Sequence, residues 1–227
     1  MSLKLCVFDM AGTTVVDRQN VHAAFIEAMA DFGYNVTLAE VNPLMGYKKT
    51  TAILQLLNIH ETNPDKITVE LIDSIHEAFE KYMVDFYATT PDLHALPFAE
   101  DLFNILKEKG IKVGLNTGFS RKVADVIVER LGWKERNLFD YLVASDEVEQ
   151  GRPYPYMIRK MMDNAGVKEN EVAKVGDTEV DINEGINTGC LYVIGVTTGA
   201  FTREELLPYK PTHIIDSLKE LEQIFFN

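Results

Sequence analysis

Positive charge is scarce in this 227-residue chain: 22 lysines and arginines face 35 aspartates and glutamates, for a net charge of −13. That deficit argues against non-specific nucleic-acid binding and against adhesion to an anionic membrane surface. An anionic substrate would need a local pocket of cations, or a metal, to overcome the overall field. Cysteine is nearly absent. Cys6 and Cys190 both lie in apolar runs, which suits reduced buried thiols in a cytosolic protein rather than a disulfide scaffold. Long apolar runs are missing too: none approaches bilayer-spanning length, and Asp9 interrupts the early apolar stretch that a signal peptide would need. No internal repeat or low-complexity tract occurs. With 46% apolar and 25% charged residues, the expectation is a soluble, cytoplasmic globular protein with ample length for a packed core.

From about residue 98 onward, strand-like and helix-like segments alternate. Phe98, Leu102, Ile105 and Leu106 have helical spacing that stops at Gly110, and Ile111 to Leu115 then has the makeup of a strand. Val123, Val126, Ile127 and Leu131 mark another helix; Tyr141–Ala144, Val172–Val175 and Cys190–Val196 are further strand candidates. Capping boxes open two late helices, Thr202 with Glu205 and Ser217 with Glu220. The alternation predicts an α/β fold with a doubly wound parallel sheet. Residues 18–88 break it. Val21, Phe25, Ala28, Met29 and Phe32 form one apolar stripe, and Ile72, Ile75, Phe79, Met83 and Phe86 another, with no convincing strand between them. An α-helical insertion after the first strand is therefore expected, leaving 1–17 and 89–227 as the α/β core.

The insertion leaves the sheet beside the segment Leu5-Cys6-Val7-Phe8-Asp9-Met10-Ala11-Gly12-Thr13-Thr14. Asp9 closes a buried strand at the carboxyl end of a sheet, where open α/β folds build their sites. Three other pieces stand out. Asn116-Thr117-Gly118 follows the Ile111–Leu115 strand and offers a hydroxyl and a turn suited to an oxyanion. Gly151-Arg152-Pro153-Tyr154-Pro155 places a cation in a rigid loop, and Gly176-Asp177-Thr178-Glu179-Val180-Asp181 adds an acidic pair after another strand. Asp9, Asp177 and a main-chain carbonyl make a plausible all-oxygen magnesium site, with Thr13, Thr178 and Asp181 around it. Clustered carboxylates need that metal or Arg152 to hold together. Singly, each piece is commonplace. In this chain order, with three of them at strand ends, they form a specific set.

The ordered set resembles the haloacid dehalogenase superfamily, which uses an aspartate nucleophile on a Rossmann-like core beneath a mobile cap. Within it, Asp-x-Ala-Gly-Thr, Gly-Arg-Pro-Tyr-Pro and Lys-Val-Gly-Asp-Thr-x-x-Asp are similar to the phosphonoacetaldehyde hydrolase, or phosphonatase, branch. The resemblance implies that Asp9 forms an aspartyl-phosphate and that Asp9, the Ala11 carbonyl and Asp177 hold Mg2+. It further implies that Asp181 orients metal-bound water, that Thr117 with Gly118 binds the phosphoryl group, and that Arg152 offsets its charge. Met45-Gly46-Tyr47-Lys48-Lys49 resembles the cap segment that carries an imine-forming lysine, and Lys49 is the match. The same likeness implies a homodimer through the cap. The chain departs from the branch at Ala52, Phe119 and Met10, where phosphonatases carry histidine, tyrosine and tryptophan.

Ala11 and Lys49 belong together chemically. A phosphate ester needs a proton on its leaving oxygen, usually from an acid two residues after the nucleophile, worth roughly 10²–10⁴-fold in rate. Ala11 cannot give one. A carbon leaving group instead needs an electron sink, which a lysine imine supplies. Such a lysine must be neutral, and burial under a closed cap, helped by neighbouring Lys48, would lower its pKa. The leading expectation is P–C cleavage of phosphonoacetaldehyde or a related carbonyl phosphonate. A phosphomonoesterase acting on a small metabolite is the alternative, and a catalytically silent binding protein on the same fold is the second. A phosphomutase is disfavoured by the missing second aspartate, and a dehalogenase by the acidic pair at Asp177 and Asp181.

Overall fold

The computed structural model describes residues Ser2–Phe226; Met1 and Asn227, the outermost residues of the expected core, lie outside it. Six strands make one sheet: β1 Leu5–Asp9, β2 Lys112–Thr117, β3 Tyr141–Ala144, β4 Val172–Gly176, β5 Tyr192–Val196 and β6 His213–Ile215. Every pairing is parallel, in the order β3-β2-β1-β4-β5-β6. β1 and β4 are buried along their whole length, as expected for central strands covered on both faces. The register sets Asp9 beside Asn116 and Phe8 beside Val175. Asp9, Thr117 and the loop after Gly176 therefore emerge together at one edge, on either side of the point where the chain reverses its direction of travel across the sheet.

Crossover helices cover the faces: α5 Ala99–Glu108, α6 Arg121–Arg130, α7 Tyr156–Ala165, α8 Glu179–Thr188, α9 Arg203–Leu206 and α10 Leu221–Phe226. Both expected capping boxes are present, at Thr202 and Ser217. β6 is absent from the strand candidates because it spans three residues and starts on an exposed histidine, which gives no periodic signal. β5 starts at Tyr192 rather than Cys190, since Gly189 ends α8 in the left-handed conformation, φ +83°. Both cysteines are free; Cys6 is buried and Cys190 half-buried.

Between β1 and α5 the chain is helical: α1 Asn20–Asp31, α2 Leu38–Val41, α3 Lys49–His60 and α4 Val69–Thr89. α1 buries Val21, Phe25, Ala28 and Met29, whereas Phe32 caps the helix and is exposed. α4 buries Ile75, Phe79, Met83 and Tyr87, a stripe at strict i, i+4 spacing. That spacing brings Tyr87 inward in place of Phe86. Phe25 and Phe79 meet with ring centroids 4.6 Å apart, which joins the two helices. The outgoing and returning linkers are hydrogen-bonded to each other, Val16 N–H to His94 O at 3.0 Å and Leu96 N–H to Thr14 O at 2.8 Å. Among the described residues, no helix is long and apolar enough to cross a membrane.

Candidate active site

At the carboxyl edge of β1, β2 and β4 lies a small cleft, lined by Asp9, Ala11, Thr117, Gly118, Asp177 and Thr178 from the core and by Met45, Gly46 and Lys49 from the helical insertion. Residues drawn from four distant stretches of sequence thus share one space. The seam between core and insertion is tight. A side chain at Gly118 would meet the Tyr47 and Gly46 carbonyl oxygens at 2.5 and 2.7 Å. Gly46 itself sits at φ +81° against Thr178 and Val180, so two glycines permit this approach.

Asp9 is buried and receives the Arg152 guanidinium, Nη1 to Oδ1, at 2.7 Å. Burial raises its pKa, and Arg152 works in the opposite direction. Asp177 is held differently. Thr13 Oγ1 donates to its Oδ1 at 3.0 Å and the Ala200 N–H to its Oδ2 at 2.7 Å, with Gly12 and Gly199 packed so closely that no Cβ would fit at either position. No lysine or arginine pairs with it among the described residues. Burial, then the charges of Asp9 and Asp181, push its pKa well above the usual carboxylate range. One oxygen from each of Asp9, Asp177 and Asp181 lies within 4.8 Å of the other two. An all-oxygen cluster with an uncompensated buried carboxylate fits a small, hard divalent cation.

Asp181 is hydrogen-bonded through Oδ2 and ion-paired through Oδ1, which accepts no well-formed hydrogen bond. Thr178 Oγ1 donates to Oδ2 at 2.5 Å, while Lys174 and Arg152 approach Oδ1 at 2.9 and 3.1 Å. Burial opposes its charge, but Arg152 and Lys174 hold its pKa below the ordinary value. Behind these groups lies a buried network that motif spacing missed. Glu184 accepts two hydrogen bonds from Asn116 Nδ2, at 3.0 and 2.9 Å, and one from Arg152 Nε at 3.2 Å. Arg152 Nη2 donates to the Asn116 side-chain and main-chain oxygens at 2.6 and 2.8 Å, and Lys174 Nζ donates to Asn116 Oδ1 at 2.7 Å. Two signals pointed there. Lys174 interrupts an otherwise apolar strand, and Glu184 follows Asp181 by three residues on α8, which puts both on one helix face.

Thr117 is buried and its hydroxyl accepts from the Phe119 N–H at 3.1 Å, which leaves its own proton free for a ligand. Lys49, at the first position of α3, is only 4% exposed. Its Nζ lies 5.2 Å from the Phe25 and Phe119 ring centroids and 5.7 Å from that of Phe79. Among the described residues it makes no hydrogen bond or ion pair. Burial lowers its pKa to about 8, with Asp9 opposing and Arg152 reinforcing the shift. Lys48 does not line this cleft; its Cβ lies against Gly151. Ala52 is buried and Met10 fully enclosed. Asp17, absent from the motifs, also lines the cleft.

A family model described as haloacid dehalogenase-like hydrolase matches residues 6–195. The chain is 32% identical over 220 residues to a bifunctional phosphonoacetaldehyde hydrolase/aminoethylphosphonate transaminase of Clostridioides difficile, covering 90% of the chain and 34% of that relative. It therefore spans about a third of the length of that two-activity protein. A phosphonoacetaldehyde hydrolase of Bacillus cereus is 30% identical, with 91% of this chain and 81% of the relative covered. Among solved structures, a phosphonoacetaldehyde hydrolase-like protein from Oleispira antarctica superposes with a TM-score of 0.83 at 24% identity, over 99% of this chain and 92% of the other.

Proposed function

The chain belongs to the haloacid dehalogenase-like hydrolase family, and from that footing we infer that it hydrolyses the P–C bond of phosphonoacetaldehyde or a closely related carbonyl phosphonate. The single observation behind this reading is the Lys49 amine. It is buried in an aromatic cage without a polar partner, its pKa is lowered to about 8, and it opens on the same cleft as Asp9. The relatives named as phosphonoacetaldehyde hydrolases support it.

The helical insertion, residues 18–88, serves as the cap that closes the site. Neutral Lys49 adds to the substrate aldehyde and, with loss of water, forms a protonated imine. An Asp9 oxygen then attacks phosphorus as the P–C bond breaks, and the bonding pair moves toward the imine to give an enamine. Protonation at carbon and hydrolysis release the aldehyde and restore Lys49; water cleaves the Asp9 phosphoryl ester. Because the leaving group is carbon, the methyl of Ala11 stands where an acid would otherwise be required. The Thr117 hydroxyl and the Gly118 turn bind phosphoryl oxygens, and Arg152 offsets charge on Asp9. Magnesium, when bound through Asp9, Asp177 and the Ala11 carbonyl, would neutralise phosphoryl oxygens and allow the carboxylate to approach.

A phosphomonoesterase is the second reading, favoured by Ala52 and Phe119, which supply no proton where the phosphonatase branch carries histidine and tyrosine. The test is borohydride added during turnover of phosphonoacetaldehyde with magnesium. A reduced adduct on Lys49, lost in Lys49→Ala, is expected. Turnover without an adduct removes the imine mechanism, and activity confined to phosphate esters selects the second reading.

A further inference from the structure

Imine formation needs a group that takes a proton from the lysine ammonium and later gives one to departing water. The titratable side chains lining the cleft are Asp9, Asp177, Lys49 and Asp17. Asp9 and Asp177 are committed to phosphorus and to the metal, so Asp17 remains. It ends the outgoing linker, half-buried, at the point where the insertion begins. Its Oδ1 accepts the Asn20 N–H at the start of α1, at 2.8 Å. Its Oδ2 has no partner among the described residues. It shares the cleft wall with Lys49, on which its negative charge acts after the charges of Asp9 and Arg152. A second observation lies on the same side: the Tyr87 hydroxyl is buried without a hydrogen-bond partner, beside Phe119, with ring centroids 6.0 Å apart, and Asp17 is the first charge to act on it after burial.

We propose that Asp17 is the proton carrier of imine formation, filling the role that Ala52 and Phe119 cannot. This rests on the imine reading above. Asp17 takes one proton from the Lys49 ammonium, and the freed amine bonds to the carbonyl carbon as the C=O electron pair moves to oxygen. In the resulting carbinolamine, the excess proton on nitrogen passes to that oxygen through the same carboxyl. The proton held by Asp17 then joins the hydroxyl, which leaves as water while the nitrogen lone pair forms the C=N bond. The carboxylate is restored and the protonated imine remains, so protons and electrons balance without any further reagent. Oδ1 stays on the Asn20 N–H throughout, and Oδ2 does the chemistry.

The test uses the full chain with magnesium and phosphonoacetaldehyde, quenched by borohydride at increasing times, with the Lys49 adduct followed by mass spectrometry. Asp17→Asn and Asp17→Ser both keep an acceptor for the Asn20 N–H at the start of α1. The expected result is adduct formation slowed by about 10²-fold or more in both variants, at unchanged melting temperature. Added formate should accelerate Asp17→Ser, and Asp17→Glu should recover part of the rate. Wild-type rates in both variants overturn the proposal while leaving the imine reading intact. So does a slowed variant that neither formate nor Asp17→Glu restores, which marks a structural role. If the parent chain turns over and yields no adduct, the imine reading and this proposal fall together.

Discussion

Replacing Lys49 with methionine should stabilise the chain while abolishing its imine chemistry. The side chains are similar in length, and the ammonium is buried among Phe25, Phe79 and Phe119 with no anion in contact. Its pKa falls from 10.5 to about 8, and each unit corresponds to about 1.4 kcal/mol, so holding the charge there at pH 7 costs about 3 kcal/mol. Ring–cation attraction works the other way by about 1 kcal/mol. The expected gain for Lys49→Met is therefore about 2 kcal/mol at pH 7. The pH dependence follows from proton counts. Between about pH 8 and 10.5 the unfolded parent chain binds more protons than the folded one, so parental stability rises with pH across that window. The advantage of the variant is full below pH 8, shrinks above it and vanishes near 10.5. Urea denaturation of both proteins at half-unit steps from pH 6.5 to 10 measures it directly. A variant no more stable than its parent at pH 7, or a gap that stays constant across the range, would refute the account of Lys49.

Three further outcomes follow from the same geometry. Without metal, the raised pKa of Asp177 means that the folded chain holds an extra proton above the usual carboxylate value of 3.8; stability should fall as pH climbs from there, magnesium should restore it, and Asp177→Asn should show a shallower slope and no response to magnesium in thermal melts. Glu184→Ala strands Asn116, Arg152 and Lys174 in a buried network and should cost about 3–5 kcal/mol by denaturant titration; a loss under 1 kcal/mol would contradict the network's importance. Ala11→Asp should raise phosphate-ester hydrolysis by about 10²-fold while depressing P–C cleavage in steady-state assays of both substrates; parallel changes in the two would break the link between that methyl and a carbon leaving group.

The features that the sequence made legible are those with a local cause. Strand ends announce themselves where an apolar run meets Asp9, Thr117 or Asp177 with glycine and other turn residues close by in sequence. The helical insertion follows from 3.6-residue periodicity. β6 has no such local cause: His213–Ile215 is a strand only because β5 offers it a partner edge. Asn116, Lys174 and Glu184 acquire meaning only when β2, β4 and α8 are brought together. Lys48 is placed by the fold rather than by its neighbour in sequence. It precedes α3 as its N-cap and its Cβ packs against Gly151.

Arg152 touches Asp9 on β1, Asn116 on β2, Gly46 in the insertion and Glu184 on α8. Evolution therefore cannot retune this cation for chemistry without also renegotiating the joint between four pieces of the molecule. Lineages that swap it for lysine, whose ammonium lacks the planar fork, should be found to have rebuilt positions 116 and 184 in the same step. The three sites would then travel as one inherited block.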